Sequence, residues 1–460
     1  MKKSHSVTAA RLYTPRATLC AIGLKVRSLK LFDTIAEHIR IRQKTIRHTP
    51  LEKLQDAFIA ILSGAHGLVE VNTRVRTDSA LQRAFGRSCC ADQSVVQETL
   101  SSCTADNVQQ MEEAVDTIFR THSQTYRHNY KKGLLLLDID LTGMPCGRQA
   151  EMALKGYFSQ AGARYGRQMG RVMAARYDEV VVDRLYPGNL QLRTTMPHLL
   201  QAMEQTLELD EAKRRRTVLR IDAGGGSMNG LNWLLERGYH VHCKDLSSRR
   251  AAHYALSVKE WVDDPAHRGR QLGWALVKKG DYARPVRRLA VRWRKRNGQK
   301  CHAMLISTLE PEEVMELLGQ PLEKADDTQA VLLAYARLYD ERGGAIEIDI
   351  KESKQGLGIS KRNKKSYCGQ QMVMLLGQLA HNVMVWVKRW LLSEAPKLKK
   401  YGVQRMVRDV MVVSGFVEIG KADAIKRVVL NGASTLARAS AKALRALLKA
   451  EHVSVILGET

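Results

Sequence analysis

The segment Gly133-Leu-Leu-Leu-Leu-Asp-Ile-Asp-Leu-Thr constrains this chain more than any other. Residues 134–137 form a continuous apolar run, as in a strand covered on both faces, and such strands belong to sheets flanked by helices. The pattern then alternates. Asp138, Asp140 and Thr142 interleave with Ile139 and Leu141, so three polar groups share one face of the strand. Residues 179–182 read as a second strand, stopped by the turn Tyr186-Pro187-Gly188-Asn189. A helical pattern covers 190–212, and 217–222 is another short strand. Strands interleaved with helices predict an α/β core.

The flanking regions differ. Residues 1–132 are polar and mostly helical in pattern, with Leu51, Leu54, Ala57, Phe58 and Leu62, then Val108, Met111, Val115 and Ile118, at helical spacing. Lys and Arg crowd 25–48, which suits a helical DNA-binding region. In 246–330 the rhythm changes again: Leu289, Val291 and Trp293 alternate with Arg288, Arg292 and Arg294, and Asn297-Gly298 supplies a hairpin turn before a return strand at 304–307. This block reads as a β-rich insertion with a basic face. Helical patterns return at 331–342, 369–395, 402–413 and 432–451. The predicted regions are therefore 1–132, 133–245, 246–330, 331–400 and a helical C-terminal 401–460.

Charge narrows the function. Lys and Arg number 73 against 47 for Asp and Glu, a formal charge of +26 spread along the chain, and such an excess is a footprint for a polyanion, most often a phosphate backbone. The eight cysteines include no Cys-x-x-Cys pair, which argues against a zinc ribbon and suits a reducing cytoplasm. His240, His242 and Cys243 have no second ligand cluster to match and read as strand residues. The longest hydrophobic stretch, 372–387, is interrupted by Gln378, His381 and Asn382, so it reads as a buried helix and no membrane partner is expected.

Three acids stand out against this basic background. Asp140 and Asp222 each close an apolar strand-like run, and Glu347 lies in a string Tyr339, Arg342, Glu347, Lys354. Carboxylates that converge can hold two divalent cations for phosphoryl transfer, and magnesium prefers such oxygen ligands without His or Cys.

With these contexts the chain resembles the DDE transposases of bacterial insertion sequences, in the group with a Tyr-x-x-Arg…Glu…Lys signature. Asp140-x-Thr142 resembles the first catalytic strand of that family, and Arg-Ile-Asp222-Ala-Gly-Gly-Gly-Ser the second. Lys155-Gly156-Tyr157-Phe158, Tyr186-Pro187-Gly188-Asn189 and Asp92-Gln93-Ser94 are also similar to its motifs. The resemblance implies an α/β fold with an RNase H-like core, two Asp on neighbouring strands and the Glu on a later helix, interrupted by the β-rich insertion and flanked by helical N- and C-terminal regions. It implies Asp140, Asp222 and Glu347 as catalytic metal ligands for two Mg2+ ions, with Mn2+ able to substitute. Tyr339, Arg342 and Lys354 would contact phosphates near the cleaved end, with Lys351 beside them and Arg292 and Trp293 on the insertion, Trp293 stacking on a flipped-out base. The partners implied are double-stranded terminal inverted repeats and target DNA, bound by a synaptic homodimer. The location implied is the bacterial cytoplasm, at the nucleoid.

Two departures bear on this assignment. Four residues, rather than the usual three, separate Arg342 from Glu347, and Ile346, Ile348 and Ile350 alternate as in a strand where the family has a helix. Asp138 and Glu352 stay open as further members of the site. A rival reading takes the Gly224-Gly225-Gly226 loop as the glycine-rich turn of an S-adenosylmethionine-dependent methyltransferase, with Asp245 as its ribose-binding acid, but leaves Asp140, Tyr339 and Glu347 without a role. A second rival is an inactive protein that binds its DNA ends without cutting. A phosphate-binding Lys-Ser or Lys-Thr after the glycines is missing, which excludes a Walker motif. Residues 213–216 read as a solvated linker or a phosphate clamp beside Asp222, and 361–365 as a basic segment suited to DNA.

Overall fold

The computed structural model describes residues 10–158, 161–278, 280–420 and 424–458, and the chain folds as two compact units, each assembled from separate stretches of sequence. The second unit, residues 124–144 and 154–348, carries the apolar run 134–137.

The strands in chain order are β1 (Ala10–Thr14), β2 (Leu135–Pro145), β3 (Leu154–Phe158), β4 (Ala161–Ala174), β5 (Glu179–Pro187), β6 (Thr217–Ile221) and β7 (His240–Lys244). They continue with β8 (Val262–Asp263), β9 (Gln271–Ala275), β10 (Arg287–Arg294), β11 (Lys300–Ser307), β12 (Gly415–Ile419), β13 (Ile425–Asn431) and β14 (Ser454–Gly458). The second unit is built on one mixed sheet in the order β3-β4-β2-β6-β7-β11-β10-β9-β8, with β5 paired to β4. At its centre β2, β6 and β7 run parallel, and β5 lies antiparallel to β4. Every residue of β6 is buried, and Leu135 and Leu137 of β2 are fully buried, as a two-sided covered strand requires.

The β-rich block is continuous with this sheet rather than a separate body. β11 pairs antiparallel with β7, Ile306 opposite Cys243, and carries β10, β9 and β8 outward. Leu272, Leu289, Val291 and Leu305 from the block share one hydrophobic cluster with Leu134, Leu136 and Val218 and with Leu332, Tyr335 and Leu338 of the helix Thr328–Arg342. Joining that core buries apolar area that an isolated hairpin would leave in water. His242 and Cys243 are strand residues, as read; His242 is buried against the Tyr335 carbonyl at 3.0 Å, and burial holds its imidazole down at about 3.

The first unit comprises residues 1–123, 145–153 and 349–460, so the two ends of the chain belong together instead of forming separate terminal regions. Helices Ala17–Ser28, Leu31–His38, Pro50–Leu62, Gln93–Ser101 and Ala105–His122 fit the helical reading of the N-terminal part. Asp92 of the Asp-Gln-Ser motif caps one of them, accepting from the Ser94 amide at 2.9 Å. The C-terminal expectation needs correction: 401–460 is not all helical. β12, β13 and β14 form a four-stranded sheet with the distant β1. Among the described residues, helix there is confined to Ala437–Leu447 and short turns. The apolar stretch 372–387 lies inside the buried helix Tyr367–Leu392, and no helix among the described residues is long and apolar enough to cross a membrane.

Candidate active site

Ile139 of β2 pairs with Ile221 of β6 in a parallel ladder, so Asp140 and Asp222 are the next residues along two neighbouring strands, ~5 Å apart in backbone spacing. Both line one cleft of about 460 Å³, together with Thr142, Gln168, Asn189, Gln191 and Gly224. A crevice at the carboxyl ends of parallel strands is the usual ligand site of such sheets.

A local irregularity brings the third acid, Glu347, to the arginine that also contacts Asp140. The helix Thr328–Arg342 passes into a π-turn, Gly343–Glu347, and resumes as Ile348–Gly356. Residues five apart diverge on an α-helix of 3.6 residues per turn, whereas a π-turn bonds i to i+5 and brings them to one side. The extra residue between Arg342 and Glu347 is absorbed in this way, and the alternating isoleucines are helical. Arg342 then spans two carboxylates: its Nη2 lies 3.2 Å from Asp140 Oδ1 and its Nη1 3.3 Å from Glu347 Oε1. The same Nη2 donates to the Ile139 carbonyl at 3.1 Å.

Electrostatics single out Asp140. Burial pushes its carboxyl up to about 6; the Arg342 charge opposes this, and the charges of Asp222 and Glu347 add to it. Asp222 anchors the start of the glycine loop by accepting from the Gly224 amide at 2.8 Å. That loop has a structural reason for glycine: a Cβ on Gly226 would come within 1.9 Å of the Lys244 carbonyl at the end of β7. The Lys-Gly-Tyr and Pro-Gly-Asn motifs meet likewise, since a Cβ on Gly156 would lie 1.9 Å from the Gly188 carbonyl. Their approach sets the turn that delivers Asn189 and Gln191 to the cleft. The sequence marked that turn without giving its polar residues a site.

Asp138 does not join the cleft. It is fully buried on β2 and bound through both oxygens by Arg220 of β6, at 2.6 and 2.8 Å. Glu352 belongs to the first unit, where the backbone amides of Val403 and Gln404 engage it. Lys351 and Lys354 also lie in that unit, on the helix Ile348–Gly356, Lys351 exposed and Lys354 half-buried. Half-buried Tyr339 and Trp293 face a smaller cavity of about 230 Å³ with Lys244, Arg270 and Leu305. Burial raises the Tyr339 phenol, which keeps it a neutral donor.

The basic stripe of β10 is only partly free. Arg288 is buried, paired with Asp281 at 2.8 Å and stacked on Tyr254. Arg292 stacks 4.0 Å over Trp261 and donates to Gln271. Residues 213–216 sit before β6, at the end opposite Asp222, and cannot clamp a phosphate beside it. A second ligand cluster, missed in the sequence because its members are dispersed, joins Asp264, His267 and Asp340, with donor atoms within 4.8 Å of one another. The Arg270 guanidinium already bridges both of its carboxylates, reaching Asp340 at 2.5 Å.

Residues 17–418 match the family profile described as transposase DDE domain group 1. The chain belongs to this family of DDE transposases. Enzymes of the family recombine DNA with divalent metal ions, and the methyltransferase reading is set aside: the glycine loop it rested on is explained by contact with β7. A search of curated proteins finds no match to the transposase. Among solved structures, the cryo-EM synaptic complex of piggyBac transposase with hairpin DNA aligns with a TM-score of 0.46 at 13% identity, over 96% of this chain and 84% of that one.

Proposed function

We propose that this transposase belongs to a bacterial insertion sequence, binds its terminal inverted repeats, cuts there by two-metal hydrolysis and joins the freed 3′-hydroxyls to target DNA. One observation carries the reading: Asp140 and Asp222 directly follow the last paired residues of two neighbouring parallel strands and line one cleft, and Arg342 ties Glu347 to Asp140. The same arrangement supports an RNase H-like core, with two acids on adjacent strands and the third on a later helix.

The donor set fits magnesium. It is all carboxylate oxygen, it opens to a cleft with room for water, and Asp140 carries the raised pKa of an acid crowded by others. Two cations held by Asp140, Asp222 and Glu347 would supply the charge that activates an attacking hydroxyl and stabilises the leaving oxygen. The chain's own groups do the rest. Asn189 and Gln191 offer neutral donors along the cleft for phosphate oxygens and for the attacking water, while the Gln168 amide holds the Gly188 carbonyl at 3.2 Å. Tyr339 and Arg342, and separately Lys351 and Lys354, are the groups that the family resemblance assigns to the phosphate backbone, and Arg292 is a further DNA contact on the insertion. Trp293 and Tyr339 form the aromatic walls of the smaller cavity, suited to a base turned out of the helix. A synaptic homodimer would bring two ends together in the bacterial cytoplasm, at the nucleoid.

Strand cleavage tests this reading. A plasmid carrying the native flanking DNA is incubated with the protein, with and without Mg2+ or Mn2+, beside Asp222→Asn. Metal-dependent breaks at both flanks, lowered at least ~10³-fold in the variant, are expected for loss of a metal ligand. Equal cleavage by Asp222→Asn would overturn the site, and tight end binding with no cut under any metal would leave a binding protein.

A further inference from the structure

Arg342 is placed oddly for a residue whose only task is to hold a phosphate. Its side chain is 3% exposed and lies among acids rather than at a DNA-facing surface. Its two terminal nitrogens are spent on Asp140, Glu347 and the Ile139 carbonyl, while its Nε is buried with no hydrogen-bond partner among the described residues. Both carboxylate contacts are single and long, at 3.2 and 3.3 Å, unlike the two-pronged grip that guanidinium and carboxylate prefer. Glu347 is 61% exposed, so it is free to turn away from the guanidinium. The contact also depends on the π-turn, because on an uninterrupted α-helix these two residues would diverge.

We infer that Arg342 is the resident counter-cation of the carboxylate site, gathering Asp140 and Glu347 before metal loading and competing with divalent cations for the same oxygens. The inference rests on the proposed metal site. In the metal-free protein the guanidinium offsets the repulsion of converging acids and keeps them in position. When cations load, their charge repels the guanidinium, and its buried donors are released toward the cleft. The enzyme thereby links metal loading to the freeing of an arginine beside the scissile phosphate.

Mn2+ affinity of the DNA-free protein, read by electron paramagnetic resonance at pH 8, separates this role from simple support of the site. A supporting residue, once removed, weakens metal binding; a competitor, once removed, strengthens it. Arg342→Gln is expected to bind Mn2+ tighter by at least about tenfold, the lower limit for a like charge ~4 Å away when it is screened as strongly as in bulk water. Arg342→Lys keeps the charge but cannot span both acids, and should fall between wild type and Arg342→Gln, which also guards against a glutamine variant that does not fold. Equal or weaker binding by both variants, with wild-type binding lost in Asp222→Asn, would overturn the counter-cation and leave the metal site standing. Absence of any Asp222-dependent Mn2+ binding would overturn both.

Discussion

Asp138 and Asp140 lie two residues apart on β2, and each meets an arginine, yet the two pairs are built for opposite ends. Asp138 and Arg220 are 0% and 2% exposed, joined through both carboxylate oxygens, and the remaining Arg220 nitrogen donates to the Leu338 carbonyl at 2.6 Å. Every strong donor has an acceptor, and the pair ties β2, β6 and the helix Thr328–Arg342 together. Asp140 has one long contact with a guanidinium it shares with Glu347, and its carboxyl is held up at about 6. Identical chemistry, closed in one place and left open in the other, separates a fixed scaffold from a site with bonding capacity to spare. The closed pair also positions the open one, because Leu338 and Arg342 are one helical turn apart.

The largest expected effect falls on the closed pair. Arg220→Ala leaves a carboxylate buried without a partner and should cost about 3–5 kcal/mol in urea unfolding, whereas Arg220→Met with Asp138→Leu should recover most of it. A loss under about 1 kcal/mol for Arg220→Ala would erase the distinction between the pairs.

Next in size is the pH response of Asp140. Its folded pKa of about 6 exceeds the unfolded value of ~3.9, so the folded state binds the proton more tightly. Its cost to stability is absent below about pH 4, grows between about 4 and 6, and is complete above that, amounting to ~3 kcal/mol. Asp140→Asn should abolish this slope in melting curves of the metal-free protein taken from pH 4 to 8. An unchanged slope would mean that Asp140 is not the strained acid.

The smallest effect concerns the π-turn. Deleting Gly344 restores three residues between Arg342 and Glu347 and lets the helix run without interruption, so stability should change by less than about 1 kcal/mol. Cleavage should nevertheless fall, because the residue arrangement that Arg342 bridges is lost. Unchanged cleavage would show that the bridge is dispensable.

Much of the core was legible because strands buried on both faces leave continuous apolar runs. Apart from the end residues Leu134 and Asp222, residues 134–137, 179–182 and 217–222 lie in β2, β5 and β6, and the alternation around Asn297-Gly298 became the β10–β11 hairpin. The sequence also singled out Asp140, Asp222, Glu347 and Arg342; Asp140 and Asp222 line one cleft, and Arg342 contacts Asp140 and Glu347. What the spacing could not say was how an extra residue fits a helix, since that depends on a π-turn, which no apolar period marks. The pairing of β1 with β12 joins opposite ends of the chain, and no local pattern encodes it. Likewise, in the 361–365 segment read as a DNA contact, Arg362 and Lys364 are buried while Lys361 and Lys365 stay exposed. Charge alone does not reveal which cations face solvent.

The most direct test of the central claim is where a bound metal cuts the protein itself. Fe2+ is loaded in place of Mg2+, and ascorbate with peroxide generates short-lived radicals that break the backbone beside the ion. Fragments ending near Asp140, Asp222 and Glu347, suppressed by excess Mg2+ and absent in Asp222→Asn, are the expected result. Cuts gathered instead around Asp264, His267 and Asp340 would move the metal site to the second cluster and contradict the assignment of the three acids.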